Sequence, residues 1–555
     1  MEKLTPVQRL IKLIVLDRED IISIYFYAIL SGLVQLSVPI GVQAIIGFVL
    51  GASMVTSIYV LIVLVVLGVL AVGVMQINQM KIIEKIQQNI FARYAFDFAE
   101  KTPKFDLLKS DNYYLPEKLN RFFDTLAVQK GLSKILLDVP AASIQILFGL
   151  ILLALYHPFF IVFGLLLVAI LWVILKFTSR RGLSTSIEES TYKYEVVAWL
   201  QEMARVIKSF KFSQGTHLNL QKMDKNVTNY LSARTSHFKV LLLQYKTLVA
   251  FKVIITTTML TVGSYLLIEQ QLNIGEFIAA EIVILTVIGA VEKLISSLDS
   301  VYDVVTGLEK LASVTENYTE RDGNFMLNTN ETGLEIRLLD FSFDYPDKKR
   351  ILNSVNLTIP ANSLVCISGD DGAGKTTLLE VLSRNYSDFD GSFLLNDIPI
   401  HNYRLESIRS ETGVYLHSED IFVGSVWENI SMGRQEVTPE KIVLTAQNLG
   451  IQTFLKTLAN GFETKIDPVG RKLPSTMIKN ILLLRAFSNN PNLLLLEEPW
   501  LGLENVTKDT IIAYLFRLKQ NSMTTTIVAS NDSNFAEKCD FHFHISNGSV
   551  ELVKK

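Results

Sequence analysis

Two short segments carry residue types that could do chemistry on a phosphate. The first is Gly369-Asp370-Asp371-Gly372-Ala373-Gly374-Lys375-Thr376. It fits the pattern G-x-x-x-x-G-K-[ST], follows the strand-like SLVCIS at 363–368, and leads into TTLLEVLSRN at 376–385, which reads as a helix. Glycines let backbone N–H groups curl around phosphate oxygens. The helix that follows turns its positive end toward the anion. Lys375 would reach the outer phosphates and the Thr376 hydroxyl would ligate Mg²⁺, with Thr377 next along the same helix start. Asp370 and Asp371 suit such a site only if they point to solvent. The second segment is Leu493-Leu494-Leu495-Leu496-Glu497-Glu498-Pro499. It reads as a buried strand whose C-terminal edge places two acids where a metal ion and an attacking water would need them. Alone it reads as a core strand with solvated end charges. Downstream of a phosphate loop, it reads as the other half of a nucleotide site.

These residues need a sheet to hold them. From about residue 334 short apolar runs alternate with helical patterns, which predicts an α/β domain. The polar stretch TENYTERDGNFMLNTNETG at 315–333 reads as a linker before it. The chain as a whole is 49% apolar and 19% charged, against a usual charged share of ~25%. Its mean hydropathy is +0.32. That excludes a disordered chain and argues against a purely soluble enzyme. A net charge of −3 gives no basic face for nucleic acid. Cys366 and Cys539 are too few for a disulfide scaffold or a cysteine zinc site, and read as reduced thiols.

The apolar excess lies in the first 300 residues. Six stretches, at roughly 21–50, 57–78, 135–156, 159–177, 247–268 and 275–298, are long enough to cross a ~30 Å hydrocarbon core. The first is long and contains Pro39, which predicts a kink or a helix extending beyond the lipid. The opening MEKLTPVQRLIKLIVLDRED reads as a charged amphipathic lead-in rather than a cleavable signal. Lys and Arg crowd segments 79–134 and 178–246, while GASMVTS (51–57), YHP (156–158) and EQQLNI (269–274) contain none. By the positive-inside rule both termini and both long loops are cytosolic. This consistent asymmetry argues against six buried helices of a soluble protein. The long loops look helical, as in KIIEKIQQNIFARYAFDFAE (81–100) and YEVVAWLQEMARVIKSF (194–210), so the spans should continue into the cytosol. Carboxylates in the spans are few: Asp138, Glu276, Glu281 and Glu292. Glu281 either lines a substrate path or is neutralised between helices.

Together these features resemble an ATP-binding cassette (ABC) half-transporter of exporter type, with degenerate nucleotide-domain motifs. Further likeness lies in Tyr345 within FSFDYPDKKRIL, in DIFVGSVWENI (420–430), in RAF (485–487), in NNPNLLLLEEP (489–499) and in LASV (311–314). The membrane part, at LSVPIGVQAIIGFVLGA (36–52) and ALYHPFFI (154–161), looks closest to bacterial type I secretion and bacteriocin exporters. The resemblance implies a membrane all-α bundle of six transmembrane helices over 1–310, a linker at 311–333 and an α/β P-loop nucleotide-binding domain over 334–555. It implies ATP and Mg²⁺ as cofactors. ATP would be held by Tyr345 (stacked on adenine), Gly369, Asp370, Asp371, Gly372, Ala373, Gly374, Lys375, Thr376 and Thr377, and by Ser475 and Thr476. Mg²⁺ would be held by Thr376, His417 and Glu497. Catalysis would involve Glu498, Glu497, Asn531 and His417. The implied partners are a second half-transporter, identical or different, membrane lipid and a periplasmic adaptor protein, in a bacterial inner membrane with the nucleotide domain cytoplasmic.

Several positions depart from the family pattern. The Q-loop glutamine falls on His417, which is shorter and titratable. The signature falls on Leu473-Pro474-Ser475-Thr476-Met477; Pro474 removes one N–H, while Ser475 and Thr476 keep hydroxyls that could cap the next helix. Glu497 stands at the Walker B aspartate and Asn531 at the switch histidine; the D-loop falls on Leu501-Gly502-Leu503-Glu504. Two readings follow. One is an ATP-driven exporter with slow hydrolysis, coupled through segments near 94–110 and 198–210. The other is an ATP-binding regulatory or degenerate subunit with little turnover of its own.

Overall fold

The computed structural model describes residues 4–51, 56–110, 115–213, 215–317, 319–327, 333–346, 350–466, 474–522 and 524–554. It divides into two compact units. Met1–Pro103 with Tyr113–Asn317 form the first; Lys104–Asn112 with Tyr318–Lys555 form the second.

The first unit is helical. Thr5 caps α1 (Pro6–Leu16) in a reciprocal arrangement with Gln8, and Pro6 takes the first helical position, where its missing N–H costs nothing. The first span is α2 (Arg18–Gln35) followed by α3 (Ser37–Leu50). The break falls at Leu36, one turn before Pro39, as expected of a proline that cannot bond to the carbonyl four residues back, here that of Gln35. Then come α4 (Thr56–Lys101), α5 (Asp124–Tyr156), α6 (Phe159–Arg205), α7 (Leu218–Ile268) and α8 (Ile274–Thr315). Among the described residues six helices, α2 with α3 counted as one, are long and apolar enough to cross a membrane. The 51 residues of α7 extend ~76 Å, more than twice the ~30 Å of hydrocarbon, so the helices run well past it as their sequences predicted. The last helix reaches Thr315, so the stretch expected as a linker from 311 begins inside α8.

Close packing of α5 on α8 rests on glycine. A Cβ on Gly149 would lie 2.7 Å from a Val287 methyl, and one on Gly131 2.5 Å from a Val304 methyl. Small residues of this kind let helix backbones approach. Further along, a buried polar set ties three helices together. Gln244 Nε2 donates to Tyr302 Oη at 2.9 Å and to Thr178 Oγ1 at 2.8 Å, and the Ser186 and Thr306 hydroxyls are 2.8 Å apart. The tip at 198–210 is held by Trp199, whose ring meets Phe210 edge-on and whose Nε1 donates to Asn219 O at 3.1 Å.

The second unit contains two main sheets. Strands β1 (Ile336–Phe343), β2 (Leu352–Ile359), β3 (Leu364–Gly369), β4 (Asp390–Leu395), β5 (Ile398–Pro399), β6 (Thr412–Tyr415), β7 (Gly424–Ser425), β8 (Lys465–Ile466), β9 (Leu493–Glu497), β10 (Thr525–Ala529), β11 (Phe541–Ser546) and β12 (Ser549–Lys554) are joined by several helices. Those that bear on the site are α9 (Lys375–Leu382), α10 (Ser475–Phe487) and α11 (Asn505–Ser522). One sheet is antiparallel, in the order β2-β1-β4-β5. The other runs β12-β11-β3-β10-β9-β6 and is parallel from β11 to β6. Parallel strands are covered on both faces, which is why β9 reads as an unbroken leucine run. Leu494, Leu495 and Leu496 are fully buried. Ligands of such sheets sit at the carboxyl ends of the strands, and β3, β9 and β10 end side by side.

Residues Lys104–Asn112 belong to this second unit although they lie far upstream in the chain. Leu108 is buried in its core cluster, Glu320 N–H donates to Lys104 O at 2.9 Å, and Lys109 Nζ lies 2.8 Å from Asp388. Part of the expected coupling segment near 94–110 is thus integrated into the unit that holds the sheet.

The strand β9 is the main apolar support of the carboxylates at its end. Leu495→Ala should leave a cavity costing about 2–5 kcal/mol. Thermal unfolding of the detergent-solubilised chain checks this as a lowered midpoint of the transition that tracks the nucleotide unit.

Candidate nucleotide site

The loop between β3 and α9 has the backbone its glycines were expected to allow. Gly372 and Gly374 adopt φ of +79° and +110°, a region that side chains rarely enter. Gly374 is the N-cap of α9, so Lys375 and Thr376 open the helix. Lys375 Nζ donates to its own loop, at 2.5 Å to Gly369 O and 3.0 Å to Asp370 O. Ala373 N–H closes the turn on Asp370 O at 3.1 Å. Asp370 and Asp371 are both exposed, as a phosphate loop requires of them.

Glu497 joins three parts of the site. Its Oε1 accepts from the Thr376 hydroxyl. Its Oε2 accepts from the His417 backbone N–H at 2.9 Å and lies 3.1 Å from His417 Nδ1. Burial alone would raise the Glu497 carboxyl's pKa. The bonds from the His417 N–H, the Thr376 hydroxyl and the His417 ring outweigh that and hold it below the usual carboxylate range. It is therefore ionised at neutral pH.

Glu498 follows with φ of +42°, a strained value for a glutamate. Its N–H donates to Ala529 O at 2.9 Å. Its carboxylate accepts from the Ser530 hydroxyl at 3.0 Å and from the Asn531 N–H at 3.2 Å. Asn531 Oδ1 in turn accepts from Gly369 N–H at 3.0 Å. The two acids thus face opposite sides of one loop: Glu497 grips the start of α9, and Glu498 is held by the turn after β10.

A cavity of about 440 Å³ lies among these groups. Asp371, Gly372, Gly374, Lys375, Thr376, Thr377, His417, Glu497, Glu498 and Asn531 line it. Ten residues singled out from sequence therefore meet in one place. Ile351, Leu501 and Ala529 complete the wall, and Ser530 stands behind Glu498. Sequence reading missed Ser530 and Ile351; the only signal for Ser530 was its place between a buried strand and Asn531.

Six expected residues stand outside the wall: Gly369, Asp370 and Ala373 of the loop itself, and Tyr345, Ser475 and Thr476. Tyr345 packs edge-on to Phe343 and Tyr386, and its hydroxyl donates to Glu380 Oε2 at 3.1 Å and lies 3.3 Å from Thr377 Oγ1. Ser475 and Thr476 are the exposed first residues of α10. The N-cap is Pro474, which has no side-chain oxygen, so the expected hydroxyl cap is not made. Leu473 lies outside the described residues.

The donor chemistry fits a hard cation. Mg²⁺ prefers oxygen ligands and takes one or two protein groups beside phosphate oxygens and waters. Thr376 and Glu497 offer such oxygens side by side. His417 nitrogen is a poorer ligand for Mg²⁺; its contact with Glu497 suits it to orient that carboxylate. Among the described residues there is no cluster of three or more His, Cys, Asp or Glu that could hold a metal.

Residues 352–501 match the ABC transporter family. The structure aligns with that of a bacterial Atm1-family ABC exporter with ATP bound, at a TM-score of 0.84, covering 97% of this chain and 94% of the other at 16% identity. The ABC transporter match lies within the second unit, and the chain as a whole has the fold of that exporter. Among curated relatives, the uncharacterized ABC transporter ATP-binding protein YknV of Bacillus subtilis is 28% identical over 46% of this chain and 42% of its own length. The Beta-(1-->2)glucan export ATP-binding/permease protein NdvA of Agrobacterium vitis is 27% identical over 50% and 48%. The chain spans about half the length of the curated relatives it matches.

Near the cassette's His417 lies a second titratable group that sequence reading passed over. Glu419 Oε2 is enclosed without a hydrogen-bond partner among the described residues. Burial pushes its pKa up to about 7, while the charge on Arg485 pulls it down. An unfolded glutamate titrates near 4.5, so between these values the folded state binds the extra proton. Stability must then fall as pH rises through this window. Glu419→Gln should remove that slope, leaving the variant more stable than wild type above about pH 7. Thermal midpoints across the window check it, and equal slopes for both proteins would contradict it.

Proposed function

We propose that this chain is one half of an ATP-driven exporter that works as a dimer and hydrolyses ATP slowly. The observation that carries the reading is the joint placement of Lys375, Thr376, Glu497 and Glu498 around one cavity, with Glu498 fixed by Ser530 and Asn531. Relatives named for export, NdvA among them, support the direction of transport.

In this reading the phosphates lie over the loop at 369–376, with the backbone N–H groups and the start of α9 facing them. Lys375 leaves its loop carbonyls for the outer phosphates. Mg²⁺, when bound with the nucleotide, supplies charge neutralisation of the phosphates. Thr376 and Glu497 hold it, and His417 keeps the Glu497 carboxylate in place. Glu498 accepts a proton from the attacking water. Because Asn531 Oδ1 is taken by Gly369 N–H, its NH₂ group remains to donate to a γ-phosphate oxygen. Tyr345 is the adenine-facing aromatic.

Each nucleotide would be sandwiched between this loop and the Pro474-Ser475-Thr476 turn of a second half-transporter, identical or different. There α10 presents its positive end and two exposed hydroxyls. Closing two such sandwiches has to supply about 5.5 kcal/mol to swing a 1:99 balance of states to 99:1. The tip near 198–210 couples that closure to the membrane helices. It leaves Ile207 and Phe212 exposed, 46% and 92%, as a surface for the partner half. The setting is a bacterial inner membrane, lipid around the spans and the nucleotide unit in the cytoplasm. A periplasmic adaptor protein is the further partner that the secretion-type likeness allows.

Slow turnover follows from the altered positions. His417 is shorter than a glutamine, Asn531 carries no titratable proton, and Pro474 lacks an N–H. Each lost preorganised contact typically costs ~2.7–4 kcal/mol, or 10²–10³-fold in rate. The same positions favour the second reading, an ATP-binding regulatory or degenerate subunit of a heterodimer.

ATP hydrolysis by the purified chain in lipid separates the two. The expected result is slow, Mg²⁺-dependent phosphate release that Glu498→Gln abolishes. A wild-type rate no higher than that of the variant would leave only the regulatory reading.

A further inference from the structure

Inside the first unit, a cavity of about 200 Å³ opens between α2, α4, α5 and α8. Its walls carry Gln35, Gln76, Gln79 and Gln145 with one acid, Asp138, and one base, Lys293. Four carboxamides and two opposite charges are a costly content for a helix bundle of this hydropathy.

Three of the glutamines are held in place. Gln145 Nε2 donates to Gln35 Oε1 at 2.7 Å, and the buried Gln79 donates to Ile24 O at 3.0 Å. These bonds leave Gln79 Oε1, Gln35 Nε2, Gln145 Oε1 and the whole Gln76 amide as open donors and acceptors among the described residues. Asp138 and Lys293 make no ion pair, with each other or with any other described residue. Elsewhere in the same unit charges are paired, as Lys252 is with Glu292. Asp138 is half-buried and Lys293 exposed, so both charges are open at one cavity to a ligand carrying complementary charges.

Depth and size limit that ligand. Gln79 is 23 residues past the start of α4 at Thr56, ~34 Å along the helix. Lys293 is 19 residues past the start of α8 at Ile274, ~28 Å. With the loop-charge orientation, the cavity lies at the inner boundary of a ~30 Å hydrocarbon core. Its volume holds about six or seven waters at ~30 Å³ each. That is room for a polar head group and too little for a whole amphiphile.

We propose that this cavity binds a zwitterionic group, its cationic end toward Asp138, its anionic end toward Lys293, and its hydrogen-bonding atoms on the four glutamines. The inference rests on the reading of the chain as an exporter for its meaning as a substrate site, but its test uses no nucleotide.

Binding is read as the rise in thermal midpoint of the detergent-solubilised full chain. The probes are phosphatidylethanolamine, phosphatidylglycerol with the same acyl chains, and soluble phosphoethanolamine. A zwitterion site predicts a saturable rise with a phosphoethanolamine probe and little with phosphatidylglycerol. Asp138→Asn and Lys293→Gln should each weaken the apparent affinity at least tenfold. A response to the lipid alone assigns an inner-leaflet amphiphile, and one to the soluble head group assigns a water-soluble zwitterion. Equal response to phosphatidylglycerol, or charge variants that bind as wild type, would overturn the proposal. If a charge variant does not fold, Gln76→Ala at its exposed position carries the test, and wild-type affinity there overturns it. Binding that persists in a chain with no ATP turnover would count against the exporter reading and leave the site standing.

Discussion

The nucleotide unit is organised around one buried carboxylate. Glu497 is 8% exposed and ionised, so it must be surrounded by donors. It finds them on two different segments, the Thr376 hydroxyl at the start of α9 and the N–H and ring of His417 after β6. Those bonds set where the phosphate loop and the segment after β6 stand relative to the end of β9. The parallel register does the rest. Ala529 on β10 lies opposite Glu497 on β9, so the next residues along, Ser530 and Asn531, come level with Glu498. Asn531 then reaches back to Gly369 and closes the circuit. The buried Glu497 is accommodated because both its oxygens are already bound.

The first unit obeys a different solvent. In hydrocarbon every backbone polar group must be bonded within its own helix, so its six apolar helices are long and nearly uninterrupted. Side chains carry the specificity. Glycines at 131 and 149 let α5 and α8 close on each other, and hydroxyls and amides such as those of Thr178, Gln244 and Tyr302 bond across helices. Against that background Asp138 and Lys293, which form no ion pair among the described residues, stand out at one cavity.

Much of the site was legible because its residues lie in two contiguous runs. A G-x-x-x-x-G-K-T loop and a leucine strand ending in two acids each declare their local structure, and each constrains where the other must be. The six spans were legible for a similar reason: apolar length and loop charge are one-dimensional quantities. Other features depended on distant partners. The ring of Tyr345 is braced edge-on by Tyr386 and Phe343, contacts set by the fold of β1 against the chain after α9 and invisible in the sequence. Ser475 and Thr476 were expected as caps, but the helix starts one residue earlier than that requires, and Pro474 takes the cap position. Pro39 marked a kink, and the span does break one turn before it, at Leu36, where Pro39 can neither bond nor clear the Gln35 carbonyl four residues back.

The sequence by itself determined the two-part architecture, the phosphate loop, the paired acids and the departures at His417, Pro474, Glu497 and Asn531. These are local: residue type, spacing and periodicity carry them without knowledge of any contact. Only the tertiary structure decided that His417 binds the carboxylate beside it, that Ser530 and Asn531 hold Glu498, and that Lys104–Asn112 folds with the nucleotide unit. It also decided that four glutamines from three helices share a cavity with one acid and one base. The physical reason is the same in each case. A buried polar group is satisfied by whatever donor or acceptor the packing brings to it, and that partner can lie hundreds of residues away.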